Sequence, residues 1–146
     1  MDKQKGKAPQ RPSWLLPSKM SPPQSSVQVV DRPALTGKLD AALGARLSLI
    51  LAAPGYGKTT LLALWRDRLV AKDIAVAWLT LDEEDRDASG LMAYMVWSLS
   101  HARVPVGELL EVVANDSISV PARAVLTALM QKLGAMNDDV VLVLDD

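Results

Sequence analysis

The chain has 146 residues, enough for one domain with a real core, and its 49% hydrophobic and 23% charged content is that of an ordinary globular protein. Sixteen basic against seventeen acidic residues leave a net charge of −1, so no overall basic field points to nucleic acid. The absence of cysteine rules out disulfides, thiolate chemistry and cysteine-based zinc sites, and a single histidine, His101, cannot anchor a histidine metal site.

Residues 1–26, "MDKQKGKAPQRPSWLLPSKMSPPQSS", combine five prolines with a run of lysines and arginines. Proline removes backbone donors and blocks helices, so this basic leader is expected to be extended or disordered. It lacks the apolar core of a secretory signal, and no apolar run reaches the roughly 18 residues of a membrane span. A soluble, cytoplasmic protein without membrane contact is the expectation.

Order is expected from residue 27 on. Val27, Val29 and Val30 suggest a short extended piece, and Leu35, Leu39 and Leu43 repeat at helical spacing. The continuous apolar run 47–53, "LSLILAA", reads as a strand buried on both faces of a parallel sheet. Residues 59–72 form an amphipathic helix with Leu61, Leu62, Trp65 and Leu69 inward, and 74–81, "IAVAWLTL", is a second strand. The acidic turn "DEEDRD" leads into a helix over 88–102. A short helix is expected at 107–113, then one from Ala122, with Pro121 at its start and Gly134 as its stop. "VVLVLDD", residues 140–146, is a further buried strand. Strands alternating with helices predict an α/β fold with a parallel sheet flanked by helices.

The joint between the first strand and its helix carries the chemistry. Ala52 to Thr59 reads A-x-x-x-x-G-K-T, the phosphate-loop (Walker A) pattern with alanine in the first glycine position. Gly55 and Gly57 permit backbone angles forbidden to other residues and let N–H groups face phosphates. The helix that follows aims its positive end at the same place. Lys58 would reach the β- and γ-phosphates, the Thr59 hydroxyl would ligate Mg²⁺, and Thr60 can reach the α-phosphate side. At the end of the last strand, Asp145 matches the Walker B carboxylate that holds Mg²⁺, and Asp146 stands where a second acid would polarise an attacking water. ATP or ADP with Mg²⁺ is the expected cofactor set, bound over Pro54, Gly55, Tyr56, Gly57, Lys58, Thr59 and Thr60.

Four stretches resemble a known family. "LLPSKMSPP" with "VDRPALTGKLDAAL", "APGYGKTTLLALW" with its unusual Tyr56, "VAWLTLDEEDRDASGLMAYMVWSL" and "VVLVLDD" are similar to the large LuxR-type, ATP-dependent transcriptional regulators of the STAND class of signal-transducing NTPases. The resemblance implies a partial P-loop NTPase domain over 27–146, incomplete on its carboxy-terminal side. It implies a nucleotide-gated switch that self-associates or pairs with full-length homologues, and that reaches DNA only through a carboxy-terminal domain not contained in this chain. It also puts Arg32 near the nucleotide, with a plain surface charge as the equal alternative.

Asp82 and Asp85 either orient groups at the site or, more simply, cap the next helix. Trp65 and Trp78 are read as core, and His101 as a solvated helix end. In the ATPase branch of this class a later strand separates the two Walker strands, so a hole beside the central strand is one expectation; direct pairing of the Walker strands is the other. Little or no hydrolysis is expected from this chain. A small stand-alone P-loop ATPase or phosphotransferase, and an interaction module that pairs with full-length regulators, are the alternative functions.

Overall fold

A computed structural model describes residues 9–24, 30, 32–115 and 120–145. These form an α/β arrangement with a two-stranded parallel sheet and five α-helices. In chain order the elements are α1 (Pro33–Ala41), α2 (Lys58–Val70), β1 (Ala75–Thr80), α3 (Ala88–His101), α4 (Gly107–Ala114), α5 (Ala122–Gly134) and β2 (Val140–Asp145). The expected bounds of α2 to α5 and of both strands hold to within two residues, because caps and periodicity are local properties. Asp87 caps α3 by accepting the Gly90 N–H at 2.7 Å, and Pro121 precedes α5. Among the described residues no helix is long and apolar enough to cross a membrane.

β1 and β2 run in register from Ala75 against Val140 to Thr80 against Asp145. β1 is buried on both faces, and its alternating side chains feed two cores. Ala77 and Leu79 join α3, α4 and α5 through Val96, Leu99, Leu109, Leu110, Val125 and Leu129. Val76 and Trp78 face the other way and pack with Val143 of β2, Leu39 of α1, and Leu61, Trp65 and Leu69 of α2. Trp65 and Trp78 are thus core residues, and His101 is exposed at the end of α3.

Two expectations are overturned. Residues 47–53 are not a buried strand: Leu47, Leu49 and Leu51 are 84, 76 and 82% exposed, and the segment belongs to no sheet. A strand exists by virtue of a hydrogen-bonding neighbour, and among the described residues none lies beside this run. It faces the outer edge of β2 across a cavity of about 290 Å³ lined by Leu47, Leu49, Ile50, Leu62, Trp65 and the length of β2. The run does not pair with β2, and among the described residues the sheet consists of β1 and β2.

The second correction concerns the leader. Residues 9–24 are not loose: a 3₁₀ turn, Pro17–Met20, packs against β1 and α3, and Leu15 and Met20 are 1 and 4% exposed within the larger core. Two apolar anchors, each worth about 1.5–3 kcal/mol of burial, outweigh the proline-rich composition. Residues 1–8 and the expected extended valines Val27 and Val29 lie outside the described residues.

Candidate phosphate and metal site

The loop after residues 47–53 turns tightly, with Tyr56 N–H donating to the Ala53 carbonyl at 3.3 Å. Gly55 and Gly57 sit at φ +83° and +75°, in the left-handed region that β-carbon residues avoid. Gly57 is also the residue at which α2 begins. Since α2 opens there, the first N–H groups of the helix and its positive end face the loop.

Three sequence-expected residues meet at this point. Thr59, on the first turn of α2, donates its hydroxyl to Asp145 Oδ1 at 2.9 Å across 86 positions of sequence. Asp145 is the last residue of β2 and is 6% exposed. Lys58 turns back to donate from Nζ to the Ala52 carbonyl at 3.1 Å, bridging the two ends of the loop on an exposed surface. Pro54, Tyr56 and Thr60 line the same turn and first helical turn, with Tyr56 67% exposed. Asp146 lies outside the described residues.

A hydroxyl and a carboxylate side by side are hard oxygen donors of the kind Mg²⁺ takes, and Mg²⁺ needs only one or two protein ligands when phosphate oxygens and water supply the rest. Among the described residues no group of three or more His, Asp or Glu side chains forms a cage that would hold a metal without such help. The residues therefore fit a metal that arrives with a phosphate ligand.

Arg32 reaches the loop as well. It immediately precedes α1, is exposed, and donates from its guanidinium to the Tyr56 carbonyl at 3.2 Å. The position of α1 is set by a network on α2. Arg68 donates to Thr36 Oγ1 at 2.7 Å and to Asp40 Oδ2 at 3.1 Å, and the Trp65 indole N–H donates to Asp40 Oδ1 at 2.8 Å. Thr36 is fully buried. Sequence reasoning missed this network, because residues on two different helices show no common spacing.

Asp82 and Asp85 neither join the phosphate site nor cap α3, which is the role of Asp87. Both instead hold Lys19 of the leader, with Nζ 2.7 Å from Asp82 Oδ2 and 2.9 and 2.8 Å from the two oxygens of Asp85. Burial alone would lower the Lys19 ammonium, but the hydrogen bonds and charges of Asp82 and Asp85 outweigh it and raise it above its ordinary 10.5. Lys19 in turn lowers Asp82 below its ordinary 3.8. Tyr94 completes this cluster, with its ring centroid 5.1 Å from Lys19 Nζ. The spacing of Trp14, Leu15 and Met20 around Lys19 was the available signal for a docked leader.

Comparison with known proteins places this geometry in context. Over 129 residues, 88% of its length, the chain is 34% identical to the serine/threonine-protein kinase PknK of Mycobacterium tuberculosis, and equally to that of Mycobacterium bovis. Over 132 residues, 90% of its length, it is 32% identical to the HTH-type transcriptional regulator MalT of Cronobacter sakazakii. The chain is similar to one segment of much longer proteins. It spans 12% of the length of PknK and 14% of that of MalT. No family profile matches the chain, and no solved structure matches it.

Proposed function

We propose that this chain is the ATP- or ADP-binding portion of a nucleotide-gated transcriptional regulator. The observation that carries the reading is the Thr59–Asp145 hydrogen bond, which joins the Walker A hydroxyl to the Walker B carboxylate beside two glycines in left-handed conformation. The comparisons support it from another direction. One segment is similar in a protein named as a kinase and in one named as a transcriptional regulator, so what is common is a module separable from either named activity.

In this reading the backbone N–H groups of 55–59 receive the phosphates, and Lys58 exchanges the Ala52 carbonyl for phosphate oxygens. Thr59 and Asp145 would hold Mg²⁺, which neutralises phosphate charge when bound. Arg32 lies close enough to the loop to sense which nucleotide fills it. The switch then works by differential affinity of nucleotide for two states of the longer regulator. DNA binding and self-association belong to that longer protein.

The test is calorimetric titration of the purified protein with Mg-ADP and Mg-ATP. Binding is expected, and Lys58→Ala is expected to weaken it at least tenfold, because a charge-assisted contact to phosphate is lost. Equal binding by the variant would remove the assigned site.

A further inference from the structure

The leader segment touches the molecule at both sides of the candidate site. At one end, Tyr94 accepts the Leu16 N–H at 3.1 Å and donates to the Trp14 carbonyl at 3.3 Å, and its ring meets that of Trp14 edge-on at 5.8 Å. Lys19 is there fastened to the acidic turn after β1. At the other end, residues 21–24 wall a cleft together with Thr59 and Thr60 of the first turn of α2.

The acidic turn is a direct neighbour of the Walker B end. Leu81 N–H donates to the Asp145 carbonyl at 2.7 Å, and Asp82 is the next residue. Residues 82–87 carry Asp82, Glu83, Glu84, Asp85 and Asp87 against a single cation of their own, Arg86. That much negative charge beside a phosphate site repels nucleotide, and charges within a Debye length of about 8 Å are incompletely screened. Lys19 offsets two of these carboxylates, and it does so only while the leader is docked.

We propose that residues 14–24 are a coupling strap locked by Lys19, whose docking and the binding of Mg-nucleotide favour one another. The inference rests on the nucleotide-binding reading above. Docking removes repulsion on the Walker B side and places the strap against the Thr59 turn, so it strengthens nucleotide binding. By linkage, nucleotide must strengthen docking by the same factor.

The experiment measures two quantities on the purified protein: Mg-ADP affinity by calorimetry, and hydrogen exchange of peptides covering 9–24. Lys19→Met is expected to weaken Mg-ADP by roughly tenfold, within the usual range for coupled sites, and to speed exchange in the strap. Lys19→Arg should stay near the parent. Adding Asp82→Asn and Asp85→Asn to Lys19→Met should restore much of the affinity, which a purely structural role for Lys19 would not produce. Mg-ADP should slow strap exchange in the parent protein. A Lys19→Met protein with a loosened strap and unchanged affinity overturns the proposal, as does strap exchange indifferent to Mg-ADP. If the parent protein binds no Mg-ADP, or binds it as Lys58→Ala does, the nucleotide reading itself has failed and the coupling falls with it. Should Lys19→Met lack a cooperative melt, Tyr94→Phe decides. It releases the two backbone groups while keeping every charge, and faster strap exchange without weaker binding is then the overturning result.

Discussion

Two segments on opposite sides of the sheet, the strap and the run 47–53, divide burial between them unevenly. The strap is rich in proline and carries four polar residues among its eleven, yet it places Leu15 and Met20 in the larger core and pins Lys19 between two carboxylates. The run 47–53 is apolar but for Ser48, yet its three leucines stand more than three-quarters exposed beside a cavity. The strap meets a surface formed by β1, α3 and Tyr94, against which Leu15 and Met20 are buried. The run lines a cavity along β2 and belongs to no sheet. Burial thus follows from a complementary surface within reach more than from the hydrophobicity of a segment.

That contrast can be broken by substitution. Leu15→Ala should cost about 2–5 kcal/mol of unfolding free energy, read by urea denaturation, because it empties a fully enclosed site. A cost under about 0.5 kcal/mol would mean that the strap is laid on the surface rather than packed into it.

The lock at Lys19 should add a pH signature of intermediate size. Asp82 is lowered on folding, so its share is present above 3.8 and is lost as pH falls through its lower folded value. Lys19 is raised on folding, so its share is present below 10.5 and is lost as pH rises through its higher folded value. Strap docking is therefore expected to hold from mildly acidic to mildly alkaline solution and to weaken only outside that window. The ¹⁹F resonance of fluorotryptophan at position 14 reports it, and a docking change centred near neutrality would show that some other group controls the strap.

The smallest effect belongs to the run. Leu49→Ala is expected to change stability by no more than about 0.5 kcal/mol in the same urea measurement, since an exposed side chain loses no packing. A loss comparable to that of Leu15→Ala would mean that the run is covered in solution.

Much of the candidate site was legible in the residues themselves. Glycines at 55 and 57, a lysine and a threonine at 58 and 59, and an acid closing a β-branched run form a pattern whose backbone and chemical requirements are short-range. The Lys19 lock and the Arg68–Asp40 network were not legible, because each joins groups with no fixed sequence separation. Asp82 and Asp85 show the limit well: both suit a cap or a site by position, and a lysine more than sixty residues away engages both.

The sequence by itself determined the helices, the two paired strands and the glycine turn at 55–57, since periodicity, caps and left-handed glycines act over a few residues. Tertiary structure alone decided that Thr59 meets Asp145, that Leu15 and Met20 of the leader enter the core, and that an apolar run is not a strand. Strand pairing and burial depend on a second surface, and no segment carries its own.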